Sequence, residues 1–246
     1  LFRQALPDVP VNLELVGSIQ TPVSQPALPR LRIADASTTE QIRDLAVTAA
    51  DHCGDVLFVG AAGLTDALAE VLFGCEVPVA APSALSGSVL FVVGSRAPQI
   101  AKQVASLIVA DPCTQVIELT DIQPLDSDQL QILTALGSRP ASLVLRAPQH
   151  SSGPNCNPDL VAKALADSTL ALLTEGEIGL LVATGGDTVM AVLTALGISA
   201  VQVCGEVRPG IVHGLIDTPK GQLRLVTKAG GFGDEKLFRT IVKYFQ

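Results

Sequence analysis

A chain of 246 residues is long enough for one large domain or two modest ones, and it can bury a core without disulfide staples. A formal charge of −8 argues against nucleic acid or an anionic membrane surface as partner, because clustered Lys and Arg supply most of that affinity. No run reaches the ~18 to 20 apolar residues of a membrane span, and the five cysteines stand singly without a C-x-x-C pair, so reduced, mostly buried thiols in a cytoplasmic protein are expected.

The residues 1–30 form an irregular stretch that opens at Leu1 without Met, which implies that something preceded it. From about Leu31 short apolar runs alternate with amphipathic segments, the pattern of strands joined by crossover helices, and 48% hydrophobic residues with only 3% aromatic suit strands buried on both faces. Strands are predicted at 31–36 and 55–60, with helices at about 38–52, begun by Thr38 or Thr39, and 63–73. The segment EVPVAAPSALSGS (76–88) lacks periodicity and marks a domain boundary. Beyond it strands are predicted at 89–94, 115–119, 141–146, 178–183, 200–204 and 222–226. The intervening helices fall at 98–110, 127–136, 158–173 and 186–196, and a last one begins at Asp234. The expected fold class is α/β: parallel or mixed sheets flanked by helices, with a remnant of a second α/β domain.

Three strand ends are rich in glycine. After the strand at 178–183 the chain reads Thr184-Gly185-Gly186-Asp187-Thr188 and enters a helix at once, a geometry in which bare main chain approaches a ligand and first-turn N–H groups favour an anion. Gly94-Ser95, followed by Arg96, ends the strand at 89–94, and Lys228 precedes Gly230, Gly231 and Gly233. All three should lie at the carboxyl edge of a parallel sheet, where open α/β folds bind ligands. Lys228 is either a phosphate cation or a solvated strand-end lysine. The G-x-x-x-x-G-K-[ST] loop, a well-placed G-x-G-x-x-G turn and a G-x-S-x-G elbow are all missing. His52, His150 and His213 are far apart in sequence and read as surface or loop residues.

The order GSRAPQIAKQV, ATGGDTVMAVLTALGI, GEVRPGI and LVTKAGGFGDEKLF resembles the nucleotide-binding C-terminal domain of the four-carbon acid sugar kinase family, some members of which carry a type III effector label. In that family the order is a G-S turn, a G-G-E-T turn, an E-x-x-P-G loop and a K-x-G-N-F-G end. Gly94 and Ser95 match the first, and Gly185, Gly186, Asp187 and Thr188 the second. Glu206, Pro209 and Gly210 match the third, and Lys228, Gly230, Phe232 and Gly233 the fourth. Asp187 stands for the usual Glu and Gly231 for the usual Asn. Upstream, ADASTTEQIRDLA and VGAAGLTDALAEVL resemble the tail of the family's substrate-binding domain, with Gly60 and Gly63 near the substrate.

The resemblance implies residues 1–80 as the C-terminal part of a substrate-binding domain and 86–246 as the nucleotide-binding domain. It further implies ATP and Mg²⁺ as cofactors, a threonate or 3-oxo-tetronate acid sugar as substrate, and a possible homodimer. Turn amides would cradle the phosphates, Asp187 or Glu206 would orient Mg²⁺ or its waters, and Lys228 would offset charge. The family's D-D-x-T-G-A and R-K-x-D-S-T segments do not occur in these residues. The catalytic base would sit on that missing part, and a catalytically silent nucleotide-binding or interaction protein is the alternative.

Overall fold

The structure, a computed structural model, describes residues 11–15, 31–50, 56–74, 85–119, 123–126, 130, 142–148 and 157–246. The chain divides into two units, Leu1–Pro78 and Val79–Gln246.

In the first unit β1 (Val11–Leu15) pairs in parallel with β2 (Leu31–Asp35), followed by α1 (Thr39–Ala50) and α2 (Ala62–Phe73). Helix α1 starts at a reciprocal cap. Thr38 Oγ1 accepts from the Gln41 N–H at 3.3 Å, while Gln41 Oε1 accepts from the Ser37 and Thr38 N–H groups. Two expectations fail here. The stretch expected to be irregular holds β1. Residues 56–60, expected as the end of a strand, are not one: Leu57 and Val59 are 89% and 79% exposed. An apolar run becomes a strand only when a neighbour takes its main-chain hydrogen bonds, and among the described residues none pairs with this one.

The second unit is built on a seven-stranded sheet in the order β4-β5-β3-β6-β9-β8-β7. Its strands are β3 (Ser88–Val93), β4 (Gln115–Glu118), β5 (Ser142–Arg146), β6 (Ile178–Thr184), β7 (Gln202–Arg208), β8 (Ile211–Thr218) and β9 (Gly221–Lys228). The first five in spatial order run parallel, and β8 and β7 add an antiparallel edge. Helices α3 (Pro98–Ala110), α4 (Pro158–Glu175), α5 (Gly186–Ala195) and α6 (Leu237–Phe245) complete the unit. Asn157 caps α4, its side chain accepting from the Asp159 N–H at 2.9 Å, with Pro158 in the first turn.

Alternation along the central strands sorts their side chains into two cores. Leu90, Val92, Leu181, Ala183, Leu223 and Leu225 pack with Leu165 of α4 and Val192 of α5. Val89, Phe91, Val93, Leu180, Val182 and Val226 pack with α3 and α6, where Phe91 and Phe238 stack at 4.6 Å between ring centroids. Burying each such side chain contributes about 1.5–3 kcal/mol, so the sheet is held from both faces, and the unit is an α/β fold.

Three expectations change in this unit. Strand β8 was not expected, because Gly214 breaks its alternation; a Cβ at that glycine would lie 2.5 Å from the Gln202 carbonyl oxygen, so β7 crosses too closely for any side chain. The expected helix at 127–136 lies almost wholly outside the described residues. Of the cysteines, Cys113 is exposed in the turn after α3 and Cys204 is half-buried on the edge strand β7, because neither place has a covering layer. The other three cysteines, like His52 and His150, fall outside the described residues.

His213 is the third, buried on β8 with Nε2 3.3 Å from the Tyr244 hydroxyl and its ring edge-on to Phe245. Burial, and then the positive charge of Arg224, hold its pKa below the ordinary 6.5. Below pH 6.5 the unfolded chain therefore binds more protons than the folded one, and stability falls as pH drops toward the folded value. Melting temperatures of the parent and His213→Gln at pH 7 and pH 5 should show a smaller acid loss in the variant; equal losses would refute the assignment.

Candidate functional site

Strands β3, β6 and β9 lie side by side, and the register pairs Val93 with Thr184 and Thr184 with Lys228. Their last residues are level, so the chain leaves all three at one edge of the sheet, through Gly94-Ser95, Gly185-Gly186 and the segment 229–233. Ile211 pairs with both Lys228 and Arg208, so the β7–β8 hairpin turns at the same edge and brings Pro209 and Gly210 there. Glu206 is on β7 rather than in the loop expected for it, and its Oε1 accepts from the Gly210 N–H at 3.1 Å, tying the turn.

The turns touch one another. A Cβ on Gly94 would overlap Thr188 Oγ1, a Cβ on Gly230 would lie 2.8 Å from Ser95 Oγ, and a Cβ on Gly210 would lie 2.8 Å from the Phe232 ring. The Gly185 N–H donates to the Lys228 carbonyl at 3.0 Å. Gly94, Ser95, Gly185, Thr188, Lys228 and Gly230 thus form one contiguous patch of bare main chain and small side chains.

Gly185 has φ +92, a conformation that strongly favours glycine, and it carries no side chain to cap the first turn of α5. Ala97 likewise leaves α3 without a side-chain cap, although Ser95 Oγ accepts from the Ala97 N–H at 3.3 Å. Two helix N-termini therefore present main-chain donors at the edge where an anion would be favoured.

Lys228 ends β9 and is only 3% exposed, which removes the solvated strand-end alternative. Its Nζ donates to the Gly230 carbonyl at 2.8 Å and lies 5.9 Å from the centre of the Phe238 ring; among the described residues no carboxylate is within ion-pair distance. Burial lowers its pKa from 10.5 to about 8. The amine is thus still mostly protonated at neutral pH, a buried cation without a counter-ion beside open main-chain donors.

Asp187 is exposed on the first turn of α5, and Gly186 and Gly231 have open space where a Cβ would be. Among the described residues no three His, Cys, Asp or Glu gather as a metal cluster. Mg²⁺ suits such a place, since it keeps several waters and takes one or two carboxylates together with phosphate oxygens. Asp187 and Glu206 could each offer it a carboxylate oxygen, although Glu206 Oε1 already accepts from the Gly210 N–H. Gly60 and Gly63 are exposed at the start of α2, in the other unit.

Residues not marked by the motifs hold the last loop. Gln99 and Gln103 of α3 donate to its carbonyls, and Arg208 pairs with Asp234 at 3.0 Å, a hydrogen bond that keeps the Asp234 carboxyl below its ordinary pKa. Their i, i+4 spacing puts the two glutamines on one helix face, a signal visible in the sequence only as polarity.

Residues 90–238 match the family described as nucleotide-binding C-terminal domain. D-threonate kinase of Cupriavidus necator is 34% identical over 222 residues, covering 84% of this chain and 51% of that protein. The chain belongs to the four-carbon acid sugar kinase family. It spans about half the length of the curated relatives it matches. Among solved structures, a domain of unknown function from Bordetella bronchiseptica, a domain-swapped dimer with bound citrate, is 26% identical with TM-score 0.55 over 99% of this chain and 59% of its own. The fold is shared with a Salmonella typhimurium protein described as a putative tRNA synthase, at TM-score 0.64 and 20% identity over 89% of this chain and 54% of its own. Among the described residues of this family member no helix is long and apolar enough to cross a membrane.

Proposed function

We propose that this chain supplies the nucleotide-binding part of a cytoplasmic kinase that moves the γ-phosphoryl group of ATP to a terminal hydroxyl of a four-carbon acid sugar of the threonate or 3-oxo-tetronate type. Residues 86–246 are the nucleotide-binding domain, and 1–80 are the tail of the substrate-binding domain, with Gly60 and Gly63 near the acid sugar. The observation that carries the proposal is Lys228: a buried cation with no carboxylate partner among the described residues, at a sheet edge where three glycine turns meet. Removing a charge from water is costly, and a site that tolerates the cost has an anion to place there.

The amides of Gly94, Ser95 and Gly186 and the main chain of Gly230 and Gly231 cradle the phosphates, while Gly185, whose N–H is held by the Lys228 carbonyl, makes the turn that lets them approach. Thr188, Pro209 and Gly210 shape the pocket wall. Lys228 offsets charge that develops during transfer, and Asp187 would hold Mg²⁺, which would supply further positive charge to the phosphates. The catalytic base lies outside these residues in this scheme. As in the domain-swapped relative, two copies pair.

Calorimetric titration of the 246-residue chain with MgADP and MgATP tests the binding step, with a dissociation constant in the micromolar to millimolar range expected. No heat at millimolar nucleotide would refute the proposal. A coupled ADP-release assay with four-carbon acid sugars, run on the full-length protein, then tests the transfer.

A further inference from the structure

Gln103 lies on the buried face of α3 and is 0% exposed. Its Nε2 donates to the main-chain oxygens of Phe232 at 3.0 Å, Gly233 at 3.3 Å and Asp234 at 3.0 Å, while Gln99, one helical turn earlier, donates to Gly233 at 3.1 Å. The Oε1 of Gln103 is buried and, among the described residues, has no hydrogen-bond partner. An amide whose two N–H groups are shared among three carbonyls and whose own oxygen is bare is costly in an otherwise apolar layer. Turning it over would be worse, since Oε1 would then face three carbonyl oxygens.

The consequence lies in the peptide units. In a trans peptide the C=O and the next N–H point in opposite directions. Holding the carbonyls of residues 232, 233 and 234 toward α3 therefore turns the N–H groups of Gly233, Asp234 and Glu235 away from it. Helix α3 itself begins just after the Gly94-Ser95 turn, so one rigid element sets the places of two of the three glycine turns.

We propose that Gln103 is a positioning residue for the nucleotide: through its three carbonyl contacts it orients the peptide units of the 229–235 loop so that their N–H groups are presented to phosphate. The proposal rests on the nucleotide reading of this edge.

Amide hydrogen exchange across 229–236 in the full chain without ligand, and MgADP affinity by calorimetry, are measured for the parent, Gln103→Met and Gln99→Ala. Met conserves volume and removes the bare oxygen, so the fold should survive. Exchange at the Phe232 and Lys236 N–H groups, which are hydrogen-bonded within the loop, should quicken roughly tenfold in Gln103→Met as its tether is lost, and MgADP binding should weaken about tenfold with the loop's orientation. Gln99→Ala should change both in the same direction and by less, and it carries the test should Gln103→Met not fold. Unchanged exchange overturns the tether, and quickened exchange with unchanged affinity overturns the positioning role. No heat from the parent overturns the nucleotide reading instead, a result the ligand-free exchange keeps separate.

Discussion

Replacing Lys228 by Met is expected to weaken MgADP binding about 10- to 100-fold, because a charge-assisted hydrogen bond to phosphate contributes ~1.5–3 kcal/mol. The same change should raise stability. The folded-state pKa of about 8 lies below the 10.5 of a free lysine, so between these values the unfolded chain holds more protons than the folded one and stability climbs with pH. Below pH 8 the burial cost is fully present, and there the variant gains most. A gain of about 1 kcal/mol corresponds to a melting temperature ~2–4 °C higher. The difference should shrink as pH rises toward 10.5. Nucleotide affinity of the parent should fall about tenfold between pH 7.5 and pH 9.5 as the amine loses its proton, while that of the variant stays flat. A variant that melts lower at pH 7 and binds MgADP as the parent does would show that Lys228 is packing and nothing more.

A Gly94→Ala chain should lose both stability and binding. The new Cβ has no room beside Thr188 Oγ1, and Leu165 Cδ1 at 3.5 Å closes another side. Thr188 is 5% exposed in the first turn of α5 and has little freedom to rotate away, so α5 must shift, at about 1–3 kcal/mol for overpacking. That shift moves the first turn of α5 out of line with the β3 turn, and MgADP affinity should drop about tenfold or more as that alignment is lost. The double variant Gly94→Ala/Thr188→Ala removes the overlapping oxygen and should recover most of the melting temperature. A cycle of the two single variants and the double reads this coupling directly. Additive losses would mean that the two turns are not in contact.

The two helix N-termini, the buried lysine and the open Gly186 and Gly231 positions would let the proposed site hold a phosphate ligand largely through main-chain donors, which is how a net charge of −8 is compatible with that reading.

Much of the second unit was legible in the order of residues. Alternating apolar runs and amphipathic segments located β3, β5, β6, β9, α3, α4 and α5 to within a few residues, because burial on both faces demands short Val- and Leu-rich strands and the crossovers between them demand helices. The glycine pairs were visible for the same reason: a strand that turns at once into a helix needs a residue with φ > 0, as at Gly185. Strand β8 was hidden because its Gly214 answers to β7 rather than to its own neighbours. Residues 55–60 misled in the opposite direction, since their composition suits a strand and only a partner could make one.

The chain's own letters determined the α/β class, the sites of the glycine turns and the family. Tertiary structure decided that Gly94, Gly185 and Gly230 share one edge, because parallel register is a relation between strands that no single segment carries. It also decided that Lys228 is buried with no carboxylate beside it among the described residues, that His213 is enclosed by Tyr244 and Phe245, and that Gln103 grips a loop about 130 residues away. Burial and long-range hydrogen bonds arise only when distant segments exclude water together, which is why the chemistry of these side chains became readable only in the folded sheet.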